Sequence, residues 1–276
     1  MKHLIGLAMG TLGACEPAYE LHKLKEHGFD ATFTGWESTE HVAGLADLMA
    51  KEGLRYDCIH APFKKAADYW KEGDAGDVAE RELKDCIDSC AAVGVDKMVS
   101  HPFIGFKDHT PTEIGLARYR RVADYAGERG IKVCIENVEG EEYFDCLMAG
   151  LREHPAVGFC FDSGHHLCYN RGRDLLSAFG DRLSYLHINS NMGVTGTEIT
   201  WYDDSHMLPF DGIADMTYLA SHLRRLHYDG VLMMELARGN RPERNINDRY
   251  LAMSDDEYLA EAHDRICRLR GMVDAE

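Results

Sequence analysis

Short apolar segments and longer amphipathic segments alternate along the chain. The apolar segments cover residues 3–9, 30–35, 55–60, 97–100, 132–136, 157–162, 183–189 and 231–236. Apolar residues at helical spacing follow in residues 17–27, 38–52, 75–93, 110–130, 143–153 and 255–270. Short apolar runs are typical of buried strands, and recurrence at i, i+3 and i+4 is typical of helices. The pattern therefore predicts eight strand–helix units in succession.

This alternation predicts the fold class. Strands separated by helices require right-handed crossovers and form a parallel sheet. Eight such units favour a closed (β/α)₈ TIM barrel over an open doubly wound sheet, and no Gly-x-Gly-x-x-Gly follows the first strand to suggest a dinucleotide site. We expect one domain spanning residues 1–276, because no Pro/Gly/Ser-rich linker interrupts the units.

Six predicted strands end in a side chain that can bind metal. These ends are His60, His101, Glu136, Asp162, His187 and Glu235. The carboxyl ends of barrel strands converge on one mouth, so residues far apart in sequence can meet there. A single histidine in such a place is more often a hydrogen-bonded rim residue, but six coincident endings predict a metal site.

The chemistry of the ligands limits the choice of metal. Glu136, Asp162, His187 and Glu235 supply three carboxylates and one imidazole. Such an oxygen-rich set suits Mn²⁺, Mg²⁺ or Co²⁺ in octahedral geometry with room for substrate oxygens. The predicted set contains no thiolate, which argues against a structural zinc site.

Composition excludes several classes of partner. The formal net charge of −17 repels polyanions, so we expect neither a nucleic acid nor an anionic membrane as partner. No apolar run reaches the roughly 18 residues of a membrane span, and the amino terminus does not resemble a signal peptide. The nine cysteines contain no Cys-x-x-Cys and sit mostly in apolar runs, as in a reduced cytoplasmic protein.

The strand ends carry a family resemblance. Ile59-His60-Ala61-Pro62, Ile135-Glu136-Asn137, Phe161-Asp162-Ser163-Gly164-His165, Leu186-His187-Ile188-Asn189 and Met234-Glu235 resemble the xylose-isomerase-like TIM-barrel superfamily. This superfamily includes sugar phosphate isomerases and epimerases, ketose 3-epimerases, inosose dehydratases and the endonuclease IV nucleases. The resemblance covers nearly the whole chain and is less specific for the reaction than for the superfamily.

Similarity to the ketose 3-epimerases implies an isomerase or epimerase that transfers protons through an enediolate. Glu136, Asp162, His187 and Glu235 match the four ligands of one divalent metal, with Glu136 and Glu235 doubling as the catalytic proton-transfer pair. His165 matches a contact to a substrate oxygen. The chain departs from those enzymes after the seventh strand, where Asn189-Ser190-Asn191 stands in place of an arginine that contacts substrate.

Similarity to endonuclease IV implies a different site. Asp204-Ser205-His206 matches the Asp-x-His of that family, and His60, His101, His165, Asp204 and His206 complete a match to its nine zinc ligands. A multinuclear site would hold Zn²⁺ and cleave phosphoesters as an AP endonuclease does. An inosose-dehydratase-like lyase and a barrel that binds a ligand without turnover also remain open.

Residues outside the metal set are candidates for binding a small carbohydrate substrate. Phe63 and Trp201 lie in loops beside candidate ligands and could cover a sugar ring, although rim packing is the more common role of such aromatics. Arg238 lies in a basic cluster after the eighth strand, either as a clamp for an anionic group or as part of a solvated loop. Barrels of this kind often associate through their outer helices, so a homo-oligomer is a further expectation.

Overall fold

Eight parallel strands form the centre of the molecule. The computed structural model describes residues 2–107 and 110–275. The strands are β1 Ile5–Leu7, β2 Ala31–Gly35, β3 Arg55–His60, β4 Lys97–Ser100, β5 Lys132–Glu136, β6 Val157–Asp162, β7 Leu183–His187 and β8 Leu232–Met234. They pair in the order β7-β6-β5-β4-β3-β2-β1-β8, and a parallel bridge from Ile188 to Met234 brings the two ends together. The result is a nearly closed single-domain (β/α)₈ barrel, as the alternation predicts.

Helices connect the strands on the outside of the barrel. They are α1 Pro17–Glu26, α2 Thr39–Glu52, α3 Asp74–Val93, α4 Glu113–Gly127, α5 Glu141–Gly150, α6 His165–Cys168, α7 Leu175–Phe179, α8 Met216–Arg225, α9 Asp248–Leu251 and α10 Asp255–Val273. The longer ones have clear start and stop signals. Ser38 accepts from the His41 amide at the start of α2, and Gly53 ends it in the left-handed region. Ser254 and Glu257 form a capping box on α10.

The inside of the barrel explains why the polar strand ends converge. Its packed residues include Cys58, Val99, Cys134, Cys160, Tyr185 and Met233. Side chains alternate between the two faces of a strand, so the residue two positions later also faces inward. Those later residues are His60, His101, Glu136, Asp162, His187 and Glu235. The interior packing therefore aims all six at the axis, at the carboxyl-terminal mouth.

The structure differs from the sequence expectations in some element bounds. β1 is shorter than the predicted residues 3–9, and β8 is shorter than 231–236. Helix α8 was not predicted, although Met216, Leu219, Ala220 and Leu223 are buried at helical spacing behind the Asp215 cap. All nine cysteines are free thiols. Within the described residues, every helix is too short or too polar to cross a membrane.

Candidate metal-binding site

Glu136, at the end of β5, lies at the centre of the mouth and is fully buried. Its Oε1 is 2.9 Å from His187 Nδ1 and 3.3 Å from His165 Nδ1. Its Oε2 is 3.3 Å from His60 Nε2 and 3.2 Å from His101 Nε2. One buried carboxylate is thus contacted by four imidazoles, which lie at or shortly after the ends of four different strands.

The four residues predicted to share one metal meet at this point. Candidate ligand atoms of Glu136, Asp162, His187 and Glu235 all lie within 4.8 Å of one another. Glu235 contacts the same His187 nitrogen as Glu136, with its Oε2 3.3 Å from His187 Nδ1. Two carboxylates from different strands therefore face one small volume.

Two further groups, one of which shares Glu136 with the first, bring the number of candidate metal ligands to nine. His60, His101 and Glu136 form one, and His165, Asp204 and His206 form the other. Asp204 Oδ2 lies 3.0 Å from His206 Nε2 and 3.4 Å from His165 Nε2. Cys160 also lies within reach of Glu136 and His187, a placement that sequence reasoning assigned to the core alone. Burial raises the pKa of the Cys160 thiol well above its usual value, which disfavours the thiolate that metals bind.

Backbone carbonyls orient two of the histidines. His60 Nδ1 is 2.8 Å from the Ala61 carbonyl, and His206 Nδ1 is 3.0 Å from the Glu235 carbonyl. A ring nitrogen that donates to a carbonyl carries the hydrogen, so Nε2 is the nitrogen that would bind a metal ion, after losing any proton it holds in the metal-free protein. His206 holds this position with a φ of 45°, which is unusual for a residue with a side chain.

The carboxylate of Asp162 is fixed on both oxygens. Its Oδ1 accepts from the amides of Gly164 and His165, each at 2.7 Å. Its Oδ2 accepts from Asn189 Nδ2 at 2.8 Å. Asn137 joins β5 to β6, because its side chain bonds both the amide and the carbonyl of Asp162. These bonds hold the carboxylate in one orientation.

The charges in the mouth are strongly coupled. Burial alone would raise the pKa of Glu136, but His187 and the other histidines hold it well below its usual range. Burial opposes protonation of His187, yet Glu235 and Glu136 raise its pKa to about 9. Burial likewise opposes protonation of His206, and Asp204 raises its pKa to about 9. In the metal-free protein, protons on these imidazoles therefore balance the carboxylates.

The residues present fit a divalent metal ion. Glu136 Oε2 and His165 Nδ1 are buried and lack a hydrogen-bond partner, although each faces other ligand-type atoms across about 3 Å. A cation between such atoms satisfies them together, whereas a hydrophobic filling would leave them unpaired. The mixed oxygen and nitrogen donors suit Mn²⁺, Mg²⁺, Co²⁺ or Zn²⁺.

A cavity of about 930 Å³ opens above these residues and is called the mouth cavity below. Phe63 lies in its wall, 40% exposed, with its ring stacked 4.6 Å from that of His101. Trp201 is 45% exposed and lies beneath the Arg241 guanidinium. Both aromatic residues predicted to bind substrate therefore line the cavity.

Arg238 does not line this cavity. Its guanidinium bonds Asp255 and the carbonyls of Tyr250 and Met253, away from the mouth. Asp255 lies in α10, Tyr250 in α9 and Met253 between the two helices, so this placement gives no support to the prediction that Arg238 binds substrate. Arg241 lines the cavity instead and donates to the backbone and the carboxylate of Asp204.

Sequence reasoning also missed Glu139 and Tyr169. Both are buried in the cavity wall. Glu139 follows Glu136 in the same loop and accepts from the Gly105 amide at 2.9 Å. Tyr169 follows His165 by one helical turn, and their rings lie 4.9 Å apart. The i, i+4 spacing from His165 was the available signal for Tyr169.

Fold and site together define a (β/α)₈ barrel with a buried carboxylate–imidazole cluster at the carboxyl ends of its strands. Residues 21–257 match the family described as Xylose isomerase-like TIM barrel, and the chain belongs to that family.

Solved structures share the fold at low identity. A D-psicose 3-epimerase from Clostridium cellulolyticum H10, solved with D-tagatose, has a TM-score of 0.72 at 17% identity and 100% coverage of both chains. A xylose isomerase domain protein from Planctomyces limnophilus has a TM-score of 0.75 at 15% identity, with 99% of each chain covered. An IOLI protein with a bound zinc atom has a TM-score of 0.75 at 17% identity and full coverage. No curated protein matches the chain.

Proposed function

We propose that the protein is a divalent-metal-dependent isomerase or epimerase of a sugar or a related polyol ketone. One observation carries the proposal. Glu136 Oε1 and Glu235 Oε2 converge on one atom, His187 Nδ1, at 2.9 and 3.3 Å. Two carboxylates that converge on one small volume can serve as the base that removes a proton from a carbon and the acid that returns one. The family and its sugar-epimerase neighbours agree with this chemistry.

Glu136, Asp162, His187 and Glu235 would hold the metal ion. When bound, the ion polarises a substrate carbonyl and stabilises the negative charge that develops on its oxygen. The metal-free pKa values of Glu136 and Glu235 both lie below the usual range despite burial, because His187 is protonated beside them. Both glutamates are therefore ionised at neutral pH.

An ionised glutamate can take the proton from the carbon next to the carbonyl. If the second glutamate takes a proton from solvent and returns it to the opposite face of that carbon, the result is epimerisation. If the first glutamate returns its proton to the former carbonyl carbon, and the hydroxyl proton moves between the two oxygens, the result is isomerisation. A β-hydroxyl lost from the same carbanion would give dehydration. Asp162 has no part in proton transfer, since three donors already fix its carboxylate.

The mouth cavity offers groups that suit a sugar. Phe63 and Trp201 present partly exposed rings, which pack against the C–H faces of sugars. His165 sits between Glu136 and Asp204 and can reach a hydroxyl in the cavity. A small neutral substrate also agrees with the net charge of −17.

Hydrogen exchange tests the proposal. The protein is supplied with Mn²⁺ or Co²⁺ and incubated with a panel of ketoses and inososes in D₂O, and NMR follows deuterium entering beside the carbonyl. We expect exchange with at least one compound, reduced at least about 10²-fold in Glu136→Gln and in Glu235→Gln. The matched control is Glu153→Gln, a side chain that is 93% exposed. Exchange that persists in both active-site variants would contradict the assignment.

A specific observation also favours a second candidate, a metal-dependent phosphoesterase. His165, Asp204 and His206 form a ligand group of their own beside the first, as a multinuclear zinc site requires. Elemental analysis of the protein and of Asp204→Ala separates the two. About one metal per chain, unchanged in the variant, supports the isomerase. Two or three zinc ions, reduced in the variant, direct the search to phosphoesters and abasic DNA.

A further inference from the structure

A second cavity adjoins the mouth cavity. It has a volume of about 670 Å³ and shares two wall residues, Glu139 and Tyr169, with the mouth cavity. Tyr169 stands in the wall between the two. Its ring centroid lies 4.9 Å from that of His165 on the metal side and 6.1 Å from that of Phe106 on the far side. A ligand that extends from the metal site across Tyr169 would reach this second cavity.

The lining of the second cavity differs from that of the candidate metal site. None of the nine candidate metal ligands lines it. Phe106, 38% exposed, and Ile199 provide apolar surface beside the hydroxyl-bearing Thr197. Glu139 and Glu141 provide carboxylate oxygens, and the side chain of Glu141 is 34% exposed. An aromatic face beside carboxylate acceptors suits the C–H face and the hydroxyls of a sugar ring.

The charge of the lining favours a neutral group. Among the described residues that line the cavity, four are carboxylates and two, Lys107 and Arg171, are cations. The balance of minus two disfavours a phosphate or a carboxylate in this place. The volume of the mouth cavity, about 930 Å³, already lies near the upper end of the roughly 300–1,000 Å³ that is typical of pockets for drug-sized ligands. A single sugar ring would leave most of the combined volume of the two cavities to water.

We propose that the substrate is a glycosylated ketose, with its ketose unit over Glu136 and Glu235 and a neutral sugar unit in the second cavity between Phe106 and Glu141. This inference rests on the proposed function for the ketose end. The second cavity supplies affinity for the glycosyl unit, so a single-ring ketose would be bound weakly.

Binding tests the inference without relying on turnover. Isothermal titration calorimetry on the Mn²⁺-supplemented protein compares fructose with lactulose, maltulose and isomaltulose, which are fructose carrying one hexose at O4 or O6. We expect at least one disaccharide to bind at least tenfold more tightly than fructose. If all three bind no more tightly than fructose, or none gives a binding heat, the inference is overturned.

Two variants locate the extra affinity. Ile199→Trp fills the second cavity and should reduce disaccharide affinity at least tenfold while leaving fructose unaffected; Thr197→Trp serves the same purpose if the first does not fold. The matched control is Ile213→Trp, since Ile213 is 55% exposed and lines neither cavity. A disaccharide preference that survives both cavity variants also overturns the inference.

The test separates this inference from the proposed function. Tight disaccharide binding without hydrogen exchange in D₂O would retain the second cavity and reject the isomerase. Exchange with fructose and the disaccharides at equal kcat/KM would retain the isomerase and reject the second cavity.

Discussion

The side chain of Asn189 holds the carboxylate of Asp162 through a hydrogen bond of 2.8 Å from Nδ2 to Oδ2. Both residues are fully buried. Asn189 is itself held in place because its backbone N–H donates to Ser163 Oγ. Asn189 follows β7 at the place where similarity to the ketose 3-epimerases implies an arginine. Here the position supports a candidate metal ligand, and Asn189 does not line the mouth cavity.

Asn189→Ala should weaken metal binding. Loss of the side-chain amide of Asn189 frees Asp162 Oδ2 and permits the carboxylate to rotate. Hydrogen bonds that orient a metal ligand in this way typically contribute 10- to 100-fold in metal affinity. We expect a drop of about that size in a competitive chelator titration with Mn²⁺. The control is Asn245→Ala, on the loop after β8 and outside the mouth cavity. Equal affinities for the two variants would show that Asn189 has no such role.

Metal binding should release protons near neutral pH. With pKa values of about 9, His187 and His206 are protonated at pH 7 in the metal-free protein. A metal ion needs their lone pairs and must displace those protons. Calorimetry at pH 7 in buffers of different ionisation enthalpy should report release of about one proton or more per metal. Binding that leaves the proton balance unchanged would exclude both histidines as ligands.

The stability of the metal-free protein should fall as pH rises above neutrality. The folded-state pKa of His187 and His206 is about 9, above the ordinary value of 6.5. Their contribution is complete below pH 6.5 and is lost as pH rises through 9, because the folded state then binds no more protons than the unfolded state. We expect Tm in EDTA to fall between pH 7 and 9.5, and His206→Gln to flatten this slope. A constant Tm over that range would contradict the charge coupling.

The fold was predictable because periodicity records it directly. Each inward series, such as Cys134 then Glu136, obeys the two-residue repeat of a strand, so a polar residue at the end of an apolar run marks the mouth. The six strand-end candidates were found by this rule, whereas His165, Asp204 and His206 were found through the family resemblance. Helix α8 was missed because the long segment after β7 hides its start, although Asp215 caps it.

The supporting residues were not predictable in the same way. Arg238 and Arg241 lie three residues apart in a loop without periodicity. Arg238 turns away from the mouth because its partners, Asp255 and the carbonyls of Tyr250 and Met253, lie on later elements. The sequence around Tyr169 and Glu139 does not distinguish them from other loop and helix residues. Only the structure shows that both line the two cavities. Partners that depend on distant elements leave no local signal in the sequence.

Gly164→Ala should disturb the candidate metal site by steric crowding and not by backbone strain. Gly164 has a φ of −81°, which any residue adopts, but a Cβ there would lie 1.9 Å from Asn189 Oδ1. The added methyl group must displace Asn189 and with it the bond to Asp162. Overpacking of this kind typically costs about 1–3 kcal/mol. Urea unfolding should show that loss, together with weaker Mn²⁺ binding.

Gly44→Ala is the matched control for this change. Gly44 lies inside α2, and a Cβ there meets nothing within 4 Å. Alanine in a helix interior should stabilise the protein by up to about 1 kcal/mol and leave Mn²⁺ affinity unchanged. The two substitutions therefore differ in sign, although both add one methyl group. If Gly164→Ala were as stable as the wild type and bound Mn²⁺ normally, the close packing of Gly164 against Asn189 would have no role in holding Asp162.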